Sequence, residues 1–116
     1  MATYRDLQLW LKKRYPYIVN KRATIKALST HAEDIRSFGV AHLYLFGSTV
    51  RGKTRGGSDV DVFVDLKKDA RVSLFEMMDL KDCLGRLLRA PVDVFPREGL
   101  HRVIRADVER AAARVF

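Results

Sequence analysis

At 116 residues the chain has room for one domain and one hydrophobic core, and 47% hydrophobic with 31% charged residues is the balance of a soluble globular protein. Its 22 Lys and Arg against 14 Asp and Glu leave a net charge of +8, which favours an acidic partner (a nucleotide, nucleic acid, an acidic protein or a membrane surface) without choosing among them. The single cysteine, Cys83, excludes an intramolecular disulfide and suits a reducing compartment, and no stretch has the apolar length of a signal peptide or a membrane span, so a cytoplasmic location is expected.

Thr3 and Asp6 form a capping-box pattern, and Tyr4, Leu7, Trp10 and Leu11 follow at helical spacing as far as Pro16, which predicts a short first helix. Residues 1–20 are therefore set apart as an N-terminal helical extension of a domain spanning 21–116. Ile25, Leu28, Ala32, Ile35 and Phe38 fall within one arc of a helical wheel, with Gly39 as the stop, and predict a second, amphipathic helix. His42 to Phe46 is too short for a helix and rich in strand formers, so it reads as the first strand. After a loop with three glycines and three cations, Val60, Val62, Val64 and Leu66 alternate with Asp61, Phe63 and Asp65, the pattern of a second strand with two unlike faces.

Ser73 and Glu76 make a second capping box, opening a helix that carries Leu74, Met77, Leu80, Leu84, Leu87 and Leu88 before Pro91. The Met77–Met78 pair and Cys83 are assigned to its packing. Val92 to Phe95 reads as a third strand stopped by Pro96. From Leu100 on, Ile104, Val108, Ala111, Ala112 and Val115 gather on one side of a wheel and Arg102, Arg105, Arg110 and Arg114 on the other, so the chain closes in a basic amphipathic helix whose last residues can run extended.

Chemistry concentrates between residues 47 and 61. Asp59 and Asp61, two apart on a strand, point to one side and can bind the same pair of divalent cations, and Asp93 on a neighbouring strand can bring a third carboxylate to that edge. A lone Asp-x-Asp equally marks the solvent face of an edge strand; the turn upstream changes the balance. Gly47 lets backbone approach a phosphate, Ser48 adds a hydroxyl and an N–H, and Arg51, Lys53 and Arg55 can neutralise a triphosphate. His31, His42 and His101 have neither metal-ligand spacing nor a neighbouring nucleophile and receive no role.

Gly47-Ser48, ten residues, then Asp59-Val60-Asp61 resembles the G-S-x10-D-x-D signature of the DNA polymerase beta-like nucleotidyltransferase superfamily, and the string from Leu45 to Asp61 is similar to its minimal nucleotidyltransferase (MNT) branch. The resemblance runs from about residue 25 to 116. It implies an α/β (α+β) nucleotidyltransferase fold, a short mixed β-sheet with helices packed against one face. It further implies that Asp59, Asp61 and Asp93 are catalytic and hold two Mg2+ ions, that Gly47, Ser48, Arg51 and Ser58 bind the nucleotide, and that ATP is the substrate. The acceptor it implies is a partner, usually a HEPN-domain ribonuclease toxin whose tyrosine is adenylylated, with this chain as the antitoxin. Two other readings stand beside it: a non-catalytic module that neutralises its partner by covering it, and a basic nucleic-acid-binding domain, which is less favoured. A homo-oligomer is compatible with all three.

Overall fold

The computed structural model describes residues 21–50 and 60–116; the expected first helix and the loop holding Arg51, Ser58 and Asp59 lie outside the described residues. In chain order the elements are α1 (Lys21–Thr30), α2 (Ala32–Arg36), β1 (Val40–Phe46), a 3-10 turn at Gly47–Thr49, β2 (Val60–Leu66), α3 (Leu74–Leu88), β3 (Val92–Pro96), a second 3-10 turn at Arg97–Gly99, α4 (Arg102–Ala111) and β4 (Ala113–Arg114). The sheet order is β3-β2-β1-β4. β1 is antiparallel to β2 and to β4, whereas β2 and β3 are parallel and are joined by α3, the crossover that a parallel pair requires. Among the described residues no helix is long and apolar enough to cross a membrane.

One face of the sheet makes the core. Val40, Leu43, Leu45, Val60, Val62 and Val64 are wholly buried, and Leu28, Ile35 and Leu84 close over them from α1, α2 and α3. Each such burial is worth about 1.5–3 kcal/mol, so this layer outweighs any single cap. The α3 cap is nonetheless complete: Ser73 Oγ accepts from the Glu76 N–H at 3.2 Å, and Glu76 Oε2 accepts from the Ser73 N–H at 3.1 Å. Ser73→Ala is expected to lower unfolding stability by about 1 kcal/mol in a denaturant titration, with an unchanged slope.

The structure departs from the sequence pattern at four places. The helix expected through Phe38 is broken at His31, where Ser29 Oγ and Thr30 Oγ1 donate to the carbonyls of Ile25 and Lys26 and disturb the last turn of α1. In α3, Leu74 and Met78 face solvent, at 74% and 55% exposure, and Cys83 is only half-buried. Phe63, placed by alternation on the polar side of β2, is buried there. The final helix ends at Ala111, so Ala112 and Val115 are not on it; the chain instead pairs with β1, Val115 N–H donating to Leu43 O at 2.8 Å and Leu43 N–H to Phe116 O at 3.2 Å. The reason is hydrogen bonding: β1 has backbone donors and acceptors on that side, and the chain end satisfies them.

Candidate active site

The ends of three strands converge on one corner of the sheet. Phe46, the last residue of β1, lies opposite Asp61, and the parallel register of β2 and β3 sets Asp61 beside Asp93. Because side chains alternate and Val60, Val62 and Val92 are turned into the core, Asp61 and Asp93 share the opposite face. Neighbouring strands run about 4.8 Å apart, so two carboxylates here repel unless a cation lies between or beside them. One cation comes from the helix layer, Lys81 Nζ at 3.5 Å from Asp93 Oδ1. That pair is open to water, with side-chain exposures of 54% and 38%, so its attraction is weak and Lys81 can yield to a stronger cation. Nothing in the sequence pattern singles out Lys81; only the packing of α3 brings it to this corner.

Gly47 shapes the other wall. Its φ of +79° is a left-handed conformation, and a Cβ added there would lie 2.7 Å from Asp61 Oδ2. The absence of a side chain thus lets the Asp61 carboxylate sit directly against the turn. The turn is closed by the Val50 N–H donating to Gly47 O, and Thr49 within it is completely buried, so its side chain is turned inward.

Below the corner, the same face is paved with aromatic rings. Tyr44 stacks on Phe63 with centroids 4.7 Å apart and planes 14° from parallel, and Phe46 stands 5.6 Å from Phe63 and 6.1 Å from Phe95. Arg97 lies over this floor, its guanidinium 4.9 Å from the Tyr44 ring and 5.1 Å from that of Phe63. It donates two bonds to Asp65, at 2.7 and 2.9 Å, and reaches Glu109 of α4 at 3.6 Å. The hydrogen bonds to Asp65 raise the Arg97 pKa against the opposing effect of burial. A cation whose pKa rises on folding contributes stability below its unfolded pKa and loses it only as pH climbs through the folded one, so titration of the guanidinium leaves this contribution constant at neutral pH, where Asp65 is ionised. Arg97→Met leaves Asp65 without its fork-shaped partner and is expected to lower stability by about 2 kcal/mol at pH 7; an unchanged melting midpoint would show that the floor holds without it.

Of the residues singled out in the sequence, Gly47, Ser48, Asp61 and Asp93 come to this corner, the first two through the turn that follows β1. Asp59, Arg51 and Ser58 lie outside the described residues. Among the described residues no three metal-ligating side chains gather, and the two that do meet are hard oxygen donors suited to a divalent ion such as magnesium. The histidines serve locally: His101 Nδ1 accepts from the Val103 N–H at 3.2 Å, His42 Nδ1 meets Arg114 Nη2 at 3.2 Å, and His31 lies 3.6 Å from Asp34.

The mixed sheet with this crossover is also the fold of known nucleotidyltransferases. A family model described as a nucleotidyltransferase domain matches residues 28–114, and the chain belongs to that family and is a nucleotidyltransferase. It is 35% identical over 89 residues, 76% of this chain and 88% of the relative, to the protein adenylyltransferase MntA of Thermococcus cleftensis. A solved minimal nucleotidyltransferase, 30% identical, superposes with a TM-score of 0.62 over 77% of this chain and 93% of the other. A chain from the Shewanella oneidensis complex of a tri-AMPylated HEPN toxin with its MNT antitoxin has the same fold, with a TM-score of 0.57 at 17% identity over 79% of this chain and 71% of that one.

Proposed function

We propose that this chain transfers AMP from ATP to a hydroxyl of a HEPN-domain partner and acts as the antitoxin of the pair. The single observation that supports this most is the register of Asp61 with Asp93 beside a turn that only glycine can form at that distance. Asp59, Asp61 and Asp93 would hold two Mg2+ ions, with Lys81 giving way at Asp93. Bound there, the ions would stabilise charge on the incoming and departing oxygens of the reaction at phosphorus.

The chain's own groups have distinct tasks. Gly47 and Ser48 would present backbone and hydroxyl to the β and γ phosphates, with Arg51 and Ser58 steadying the nucleotide. Asp93 would accept the proton of the attacking hydroxyl. That oxygen forms its bond to the α phosphorus as the bond from phosphorus to the pyrophosphate oxygen breaks in line with it. One AMP is added to the acceptor per cycle. The relative named a protein adenylyltransferase supports the choice of AMP and of a protein acceptor, and the MNT antitoxin supports the HEPN class.

The test is a transfer assay with a purified HEPN protein from the same genome. ATP labelled at the α phosphate should label that protein, ATP labelled at the γ phosphate should not, and chelation of magnesium should stop the reaction. A stable complex that acquires no label would instead make the chain a covering module. Steeply salt-dependent binding to RNA or DNA without transfer would point to the basic nucleic-acid-binding reading.

A further inference from the structure

Asp93 has a cation supplied by the chain itself. On the α3 wheel Lys81 lies about 60° from the buried Leu84, just outside the arc that packs on the sheet. A lysine at the border of a packed arc lays its stem along apolar surface and carries its charge out to the rim. Here the rim is β3, the strand at the edge of the described sheet, against which α3 packs. Nζ stops 3.5 Å from Asp93 Oδ1, the one ion pair that Asp93 makes among the described residues. The chain's other ion pairs join residues one helical turn apart, as Arg36 with Glu33 and Arg110 with Asp107 do, or tie Arg97 to Asp65 and Glu109. Lys81 alone among them carries charge from the helix layer to the acidic corner. As a stabiliser this pair contributes little, since both side chains are open to water. As a charge beside a carboxylate that is to hold metal, it matters far more.

We propose that Lys81 makes the corner selective for a metal-bound nucleotide over the bare divalent ion, a positioning role that rests on the reading of the corner as a magnesium–nucleotide site. A free divalent ion that approaches Asp93 must displace Nζ and then lie close to it. In bulk water a unit charge about 4 Å away changes an equilibrium by about fivefold, and a divalent ion squares that factor. Screening at physiological salt brings the penalty to about tenfold. The magnesium complex of ATP arrives with the opposite balance, because its phosphates carry more charge than the ion they hold, and the same ammonium attracts it. One side chain therefore disfavours the first ligand and favours the second, so that ion and nucleotide enter together. In the ligand-free chain the ammonium also offsets the repulsion between Asp93 and its neighbour in register, Asp61.

Two equilibrium measurements on the full chain test this, and neither needs a partner protein or a turnover. Mn2+ alone, followed by the loss of its free-ion EPR signal, should bind Lys81→Met about tenfold more tightly than the parent. The α,β-methylene analogue of ATP with Mg2+, which cannot release AMP, should bind the same variant about fivefold more weakly by calorimetry. Lys81 is 54% exposed, so the variant should fold with an unchanged melting midpoint. Lys81→Arg keeps the charge and should stay within about twofold of the parent for both ligands. Because the effect is exerted at Asp93, most of the gain in Mn2+ affinity should vanish when Lys81→Met is made in Asp93→Asn. Shifts of both ligands in one direction, or a Mn2+ affinity that Lys81→Met does not raise, would overturn the selection. A parent chain that fails to bind the analogue would overturn it together with the nucleotide site on which it rests. Opposite shifts with no label on a HEPN protein would support the role of Lys81 and count against the proposed acceptor alone.

Discussion

Asp61→Asn is expected to reduce AMP transfer by about a thousand-fold, or about 4 kcal/mol of transition-state stabilisation at 1.36 kcal/mol per tenfold, with a much smaller effect on the fold. The carboxylate stands in register with Asp93 on the open face of the sheet, so the substitution removes one of two neighbouring like charges. Amide for carboxylate keeps the volume and one accepting oxygen, so the melting midpoint should move far less than the activity. Activity and stability thus move apart, which a merely structural aspartate would not produce. Asp93→Asn should behave alike, apart from losing its weak pair with Lys81. Because the carboxylates act as one unit, the double variant should be little worse than either single one. Complex formation with the partner should survive in all three. Transfer by Asp61→Asn within tenfold of the parent would remove the proposed role of this carboxylate.

The second large effect is expected at Gly47, where alanine should damage stability and activity together. Its φ of +79° costs an L side chain about 1–2 kcal/mol, and the new Cβ would meet Asp61 Oδ2 at 2.7 Å. Something must shift, and the shift falls on the carboxylate proposed to ligate metal. A displacement of about 1 Å at a reacting centre lowers rates by about 10²-fold, so transfer should fall by at least that factor while the melting midpoint also drops. Gly85→Ala supplies the control: its Cβ would lie 3.4 Å from Ala90 O, in ordinary contact within a helix, and alanine there should be neutral or stabilising by about 0.5–1 kcal/mol. Equal behaviour of the two variants would show that neither the left-handed backbone nor the approach to Asp61 constrains position 47.

The strands and α3 were legible because their signals are local. β2 was readable from the alternation of Val60, Val62, Val64 and Leu66, and the start of α3 from Ser73 and Glu76, whose reciprocal bonds are made within four residues of chain. The spacing from Gly47 to Asp61 was equally plain, and the structure puts the two in close approach. Alternation failed at Phe63, which shares its strand face with Asp61 and Asp65 yet is buried by Tyr44, Phe46 and Arg97. Helical periodicity failed at Ala112 and Val115, since the wheel cannot register that β1 has an edge to be paired. It failed also at Leu74, which sits in the exposed opening turn of α3, and at Met78, which lies off the arc of Leu80 and Leu84 that meets the core.

The sequence by itself determined the class of the protein: the order of strands and helices, the glycine turn, and the acidic residues that follow it at fixed spacing, all set by interactions between residues near each other in the chain. Only the tertiary structure decided that Asp93 stands beside Asp61, that Lys81 reaches Asp93, and that Arg97 locks onto Asp65. These contacts join residues 12 to 32 positions apart, and their geometry follows from strand register and helix packing, which no local pattern of residues encodes.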